Sequence, residues 1–273
     1  MAESRVGVLG ASSLVGGCLL PVLRDAGWPV VSFSRGASSQ RIEGDMPYWI
    51  CLAPIWVLPD YFALLEANGV RRVVVLSSTS RFTKVDSGDM AENIVAARLI
   101  EGEAQVQAWA ASRGIEWVIL RPTLIYGLGR DKNISEIVRF IRRFGFFPVL
   151  GKATGLRQPI HAKDVAAACF SALLAPEAAN RTYNISGGET MTYRDMIARV
   201  FAALGRRPRL LTVPLWAFRL VVSVLRCLPR YRQWSAAMAE RMNLDLVFDP
   251  TEAARDLGYK PRGFALAAED LPG

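Results

Sequence analysis

The run VGVLGASSLVGG at residues 6–17 constrains this chain more than any other stretch. Its first residues read as a buried strand. SLVGGCLLPVLRDAGW (13–28) follows with helical spacing and stops at Gly27. Gly10 and Gly16 bracket the junction, with Ser13 midway. A strand entering a helix through so short a turn needs a residue that tolerates strained backbone angles, and it leaves bare N–H groups at the helix start. Such an end receives a pyrophosphate when it opens a βαβ unit. A tight connection without a ligand is the alternative, and the order strand, turn, helix favours the ligand.

The rest of the chain supplies that βαβ context. PVVSFSR (29–35), YWICLAP (48–54), RRVVVLSS (71–78) and EWVILRP (116–122) read as strands, with YFALLEANG and residues 90–113 as helices between them. This alternation predicts an α/β fold, a doubly wound parallel sheet of Rossmann type. After Pro122 the pattern loosens. NISEIVRFIRRFG reads as a helix, RQPIHAKDVAAACFSALL as a short strand into a helix, and RTYNISGGE as a strand plus turn. TYRDMIARVFAALG is a helix between a threonine cap and Gly205. The expected division is a dinucleotide-binding domain over 1–150 and a small C-terminal α+β substrate lobe over 151–273, with sheet elements interleaved.

Composition removes several function classes. With 273 residues, 51% of them hydrophobic, the chain can bury a full core. Four cysteines without a CxxC pair argue against a disulfide framework or zinc site, and one histidine, His161, excludes a multi-histidine metal site. No metal is expected. Reduced thiols and a strand starting almost at the first residue point to a cytoplasmic protein without a signal peptide. The net charge of +8 is localised: residues 206–241 hold eight arginines and one acid, Glu240.

At the end of the second strand a carboxylate would receive the adenosine ribose hydroxyls of NAD(H). Ser32, Ser34 and Arg35 stand there instead. A guanidinium suits a 2′-phosphate, so NADP(H) is the expected cofactor and NAD(H) the alternative; a solvated arginine is the competing reading of Arg35. GASSLVG, VVVLSSTS, LRPTLIYG, RQPIHAKDVA, YNISGGETMTYRDM and DPTEAARDLGYKPR, in this order along nearly the whole chain, resemble the NAD-dependent epimerase/dehydratase family, the extended and atypical short-chain dehydrogenase/reductases. Ser13 departs from the family's central glycine, and only twelve residues separate Ser34 from Pro47, which shortens the adenine side of the fold. The resemblance implies cofactor contacts at Gly10, Ser12, Ser13, Leu14, Val15, Gly16, Ser34, Arg35, Ala53, Ser77, Pro122 and Thr123.

The resemblance also exposes a loss. The family uses a serine or threonine at the end of the central strand, with a tyrosine four residues before a lysine; the ammonium lowers the phenol's pKa so that it can shuttle a proton. Aligned through LIEGE, with Glu103 eight residues after the tyrosine, those positions are Val95 and Leu99, which continue an apolar helix stripe. Ser78 remains the catalytic candidate, with a backbone-satisfied hydroxyl as the bland alternative. Tyr126 and Lys84 are weak substitutes for the missing acid, and Arg81 shares the loop of Lys84. Ser78, Thr79, Arg157 and His161 are the substrate-side candidates. The resemblance implies a diphosphate contact for Arg157; His161 reads more readily as structural, and Asp164 as a helix cap.

PLWAFRLVVSVLRCLPRYRQW (214–234) is too short between its prolines to span a bilayer. It reads either as a core-facing helix of the substrate lobe or as an in-plane helix at an anionic membrane surface, and its aliphatic character argues against nucleic acid. The expected function is an NADP(H)-binding oxidoreductase or sugar-nucleotide epimerase/dehydratase-like protein with an atypical active site. A reductase of a sugar nucleotide, a lipid-linked sugar or a related small molecule is the preferred form. A non-catalytic NAD(P)-binding sensor, scaffold or assembly factor is the alternative. A homodimer and peripheral contact with the inner face of a membrane are compatible with this reading.

Overall fold

A computed structural model describes residues 5–33, 45–85, 87–214 and 241–273. Six parallel strands form the main sheet: β1 (Val6–Leu9), β2 (Val30–Phe33), β3 (Tyr48–Cys51), β4 (Arg72–Leu76), β5 (Glu116–Pro122) and β10 (Arg181–Ile185), in the order β10-β5-β4-β3-β1-β2. All five central pairings are parallel. Parallel strands need crossovers, and buried faces need helices to cover them. α1 (Leu14–Asp25) and α6 (Ala162–Leu174) pack on one face, over Val6, Val8, Ile50, Val74 and Val118. A 3-10 segment (Ile55–Tyr61), α2 (Phe62–Ala67) and α4 (Met90–Arg113) cover the other, over Leu9, Trp49, Val73, Val75 and Ile119. Adjacent strand residues alternate between the two clusters, as a period of two requires. The doubly wound fold read from the sequence is the one observed.

α4 matches its predicted span at both ends. Asp89 caps it through the Ala91 amide, and Gly114, at φ 65, ends it in a left-handed turn. Gly102 lets α4 lie against the 3-10 segment: a Cβ there would sit 3.0 Å from Ile55 Cγ2 and 3.1 Å from the Trp56 nitrogen. Arg72, buried at the start of β4, pairs with Glu116 at 2.7 Å and donates to the carbonyls of Leu173 and Ala175 at the end of α6. It therefore ties sheet to helix where the helix dipole favours a cation.

A third apolar cluster lies outside the sheet. It joins α5 (Ile134–Phe144) and α7 (Tyr193–Ala203) with β7 (Phe147–Leu150), Phe264 and Tyr126. Three two-stranded ladders border it: β6 (Ile125–Tyr126) with β9 (Ile160–His161), β8 (Leu156–Arg157) with β11 (Met191–Thr192), and β7 with β12 (Leu210–Val213). α8 (Thr251–Leu257) packs beside β10 and α6. The chain thus leaves the sheet after β5, builds this cluster, and returns to the sheet at β10.

Candidate functional site

The first turn is shaped by what its glycines allow. Gly10 has φ +80, and a Cβ there would lie 2.8 Å from the Ala53 nitrogen. The turn therefore passes against the end of β3 with no room for a side chain. A Cβ on Gly16 would meet the Ala11 carbonyl oxygen at 2.2 Å. Ser13 is extended, at φ −67 and ψ 167, and its Oγ accepts from the Gly16 amide at 3.1 Å as the cap of α1. The central position thus holds a serine because its side chain folds back onto the helix. Leu14 and Val15 lie in the first turn, where no preceding intrahelical carbonyl can reach their amides. Ser12 is exposed and Val15 buried, so the loop is open on one side and anchored on the other. This cradle fits a dinucleotide pyrophosphate. Ser32 is exposed; Ser34 and Arg35 lie outside the described residues.

The ends of β4 and β5 form the second half of the site. Ser77 is buried, and its Oγ donates to Glu103 Oε1 at 2.5 Å. Ser78 is half-buried, and its Oγ accepts from the Ser80 amide at 3.1 Å, which leaves its proton free to donate elsewhere. Thr79 donates to the Pro122 carbonyl at 3.1 Å, and Thr123 donates through Oγ1 to the Gln158 carbonyl. Their backbone continues the ladder, Ser77 to Leu120 and Thr123 to Ile185. Ser77, Ser78, Thr79, Pro122 and Thr123 are therefore brought to one edge of the sheet.

Val95 and Leu99 face the other way, into the apolar cluster. Leu99 is 4% exposed, and Val95 packs against the same group. One helical step further along α4, Glu103 is 1% exposed and holds two guanidiniums at once. Arg121 binds it through Nε at 3.0 Å and Nη2 at 2.6 Å, and Arg81 through Nη1. Both guanidiniums also lie over the Phe82 ring, at 5.1 and 5.3 Å from its centroid. Phe82 is 48% exposed and 6.0 Å from Phe248, so an aromatic pair stands above a buried ion cluster. Sequence reasoning used Glu103 only to set the helix register and did not single out Arg121. The usable signal was strand alternation, which puts Arg121 on the same face as Ile119, toward α4.

The other candidates are held by the protein itself. Tyr126 is fully buried, its hydroxyl donates to the Ala265 carbonyl at 3.2 Å, and burial pushes its pKa up to about 12. A phenol so placed is a poor acid near neutrality. Lys84 is half-buried, and that burial lowers its pKa against the opposing pull of Glu92. Burial also pushes Glu92 up, but the Arg241 ion pair and a 2.8 Å hydrogen bond from Ser87 outweigh it, and its carboxyl titrates below the usual range. Arg157 is buried and stacked 5.4 Å from the Tyr193 ring. Its guanidinium donates to the carbonyls of Leu156 and Leu244, both at 2.7 Å, and of Arg241. The fork that the resemblance assigns to a diphosphate is here engaged with backbone.

His161 is 2% exposed, and both of its ring nitrogens are engaged. Nδ1 accepts from the Lys163 amide at 3.1 Å, and Nε2 lies 3.0 Å from Asp270 Oδ1. It is the residue that caps α6. Asp164, expected as that cap, instead pairs with Arg262, accepting from its Nε at 2.9 Å and its amide at 3.0 Å. The imidazole reaches the first-turn amide from the capping position itself, which frees the carboxylate one turn on. No group of metal-ligating side chains is found among the described residues.

Residues 60–186 match the model of the NAD dependent epimerase/dehydratase family. Over those residues the chain is similar to this family. Among curated relatives, a UDP-glucose 4-epimerase from Vibrio cholerae is 24% identical over 161 residues, covering 59% of this chain and 47% of that protein. An uncharacterized protein from Sinorhizobium fredii is 27% identical over 206 residues, covering 72% and 50%. The chain therefore spans about half the length of the curated relatives it matches. Among solved structures, the UDP-glucuronic acid 4-epimerase of Bacillus cereus in complex with NAD superposes with a TM-score of 0.72 at 14% identity, over 97% of this chain and 95% of that one. That likeness is one of fold.

Proposed function

We propose that this protein binds a nicotinamide dinucleotide and acts as an atypical oxidoreductase or epimerase-like enzyme. The substrate class we infer is a sugar nucleotide, a lipid-linked sugar or a related polar molecule. The observation that carries the cofactor assignment is the cradle at Gly10–Gly16, where a Cβ at either glycine would collide with backbone beside an open helix N-terminus. The names of the matched relatives favour a sugar nucleotide. NADP(H) is the proposed form because Ser32, Ser34 and Arg35 offer no carboxylate to a ribose at the end of β2. The Bacillus cereus neighbour is described with NAD, so the preference rests on the residues at the end of β2 and chiefly on Arg35. Calorimetry decides it. NADP(H) should bind more tightly than NAD(H), and Arg35→Ala should weaken NADP(H) alone, by about 1.5–3 kcal/mol. Equal affinities in the unsubstituted protein would sink the assignment.

A bound nicotinamide supplies hydride transfer to or from one substrate carbon. The chain's own residues then have two tasks, holding a substrate oxygen and managing its proton. Ser78 serves the first, since its lone pair is used by Ser80 while its proton can point to a carbonyl. For the second, no phenol–ammonium pair exists at Val95 and Leu99, and Tyr126 is tied to Ala265. Water or the substrate itself must carry the proton, with Lys84 as a secondary donor whose pKa burial has lowered. This favours a simple reduction over an epimerisation that needs a reversible acid–base group. Ser78→Ala should cost about tenfold or more in turnover with cofactor affinity unchanged.

A non-catalytic reading is favoured by one specific observation. Leu99 and Val95 are built into the core, so the family's proton-transfer positions are occupied by packing. A sensor, scaffold or assembly factor would use the cofactor for stability by mass action. Cofactor that stays bound but is never oxidised across a panel of carbonyl and sugar-nucleotide substrates would establish this alternative.

A further inference from the structure

We propose that the C-terminal end of α5 and the β7–β12 ladder form a docking face for an anionic lipid bilayer. This inference concerns a different surface from the cofactor cradle and does not rest on the proposed chemistry.

Two stretches without a single acid meet here. Residues 137–153 and 196–214 contain no Asp or Glu, while the first carries Arg139, Arg142 and Arg143 and the second Arg206, Arg207 and Arg209. The fold lays them side by side. Arg206 Nη1 donates to the Ile141 carbonyl at 2.9 Å, the Phe147 amide donates to the Arg209 carbonyl at 2.9 Å, and Leu211 pairs with Pro148 in the ladder. All six arginines are exposed. Arg139 is paired with Glu136, but no carboxylate among the described residues pairs with Arg142, Arg143, Arg206, Arg207 or Arg209.

Apolar side chains stand among these charges. Phe144, in the last turn of α5, is 51% exposed, and Leu211 is 54% exposed. Phe146 is half-buried and meets Phe140 edge-on at 5.8 Å, while Phe140 also packs 4.6 Å from Phe144 and 5.5 Å from the buried Phe147. The aromatic cluster is thus rooted in the third core and emerges at the surface. Arg143 lies over the Phe144 ring at 5.4 Å, so cation and aromatic emerge together.

Charge complementarity points to a polyanion, and the exposed phenylalanine and leucine select which one. Nucleic acid would be read by arginines and stacking rings, with no use for an exposed aliphatic strand residue. An anionic bilayer rewards both parts: guanidiniums at the headgroups, and Phe144 and Leu211 entering the acyl boundary. The chain direction agrees. β12 leads into LWAFRLVVSVLRCL at 215–228, an apolar run with its own arginines. No described helix is long and apolar enough to cross a membrane, so the contact proposed is peripheral.

The test is cosedimentation of the full chain with vesicles of phosphatidylcholine alone, and with about one-third phosphatidylserine added. Binding should require the anionic lipid and weaken with salt. Replacing Arg143, Arg207 and Arg209 together by alanine should weaken it by roughly tenfold or more, since each arginine near such a surface counts for about fivefold. Phe144→Ser with Leu211→Ser should also weaken it, and should remove the part that salt does not reverse. Unchanged circular dichroism and cofactor affinity would show that both variants are folded. No binding to anionic vesicles at low salt would overturn the proposal. So would wild-type binding by the triple variant alongside loss in Arg219→Glu/Arg226→Glu, or tighter binding to a DNA duplex that ignores Phe144 and Leu211.

Discussion

Replacing Glu103 by glutamine tests whether the ion cluster beneath Ser77 is a structural keystone of the site. Glutamine keeps the shape but removes the negative charge that faces two guanidiniums, and its NH₂ must point at one of them or at Ser77. Removing one partner of a buried pair costs about 3–5 kcal/mol. The Arg121 and Arg81 side chains are 13% and 20% exposed, so water screens part of the repulsion left behind. We expect about 2–4 kcal/mol, near the lower end of that range. Guanidinium denaturation followed by circular dichroism measures it. Arg81→Met should cost less, about 1 kcal/mol, because it leaves a one-to-one pair between Glu103 and Arg121. The double variant decides the mechanism. If charge imbalance is the cause, Arg81→Met should recover part of the loss in the glutamine background, a coupling of about 1 kcal/mol or more. A Glu103→Gln protein within about 0.5 kcal/mol of wild type, or strictly additive changes, would refute the reasoning.

Other outcomes follow from the same geometry. Gly16→Ala should abolish cofactor binding and lower stability by at least about 1–3 kcal/mol, because its Cβ would have to displace the Ala11 carbonyl; calorimetry and denaturation measure the two losses. Rebuilding the dyad as Val95→Tyr with Leu99→Lys should destabilise the fold by about 2–4 kcal/mol before any activity appears, since Leu99 lies in the core. A thermal melt unchanged from wild type would contradict that placement. Burial pushes the Asp270 carboxyl up, but hydrogen bonds from His161 and from the Leu128 and Ala267 amides outweigh it and hold it below the usual aspartate range. A depressed carboxyl contributes stability above its unfolded pKa and loses it as pH falls through the folded value. Asp270→Asn should therefore cost about 1–3 kcal/mol at neutral pH, with the gap to wild type narrowing as pH falls below the ordinary aspartate pKa of about 3.9, as read from denaturation at neutral and acid pH.

Much of this protein was legible because short-range physics writes it locally. Apolar runs of four to seven residues and glycine stops determined β1, α1, β4, α4 and β5, and their alternation determined a parallel sheet with two covered faces. The glycine turn was readable for the same reason: the backbone angles at Gly10 depend on residues within one turn of it, whereas the capping role of Ser13 was seen only in the structure. The absence of tyrosine and lysine from α4 was likewise a fact of spacing.

The tertiary structure decided where side chains with several chemically equivalent partners end up. Nothing in RQPIHAKD says whether Arg157 reaches a ligand or the carbonyls of Leu244 and Arg241, which arrive from more than eighty residues away. His161 takes the capping role expected of Asp164, and Asp270 and Arg262 come back from the C-terminal segment to meet the two residues. Arg121 reads as an ordinary strand residue until α4 brings Glu103 over it. The basic face exists only because β12 pairs with β7 and sets two acid-free stretches edge to edge. Helix and strand periodicity act over a few residues and survive in the sequence. A charged group's partner is chosen by long-range packing, where one arginine fits many acceptors and only the fold selects among them.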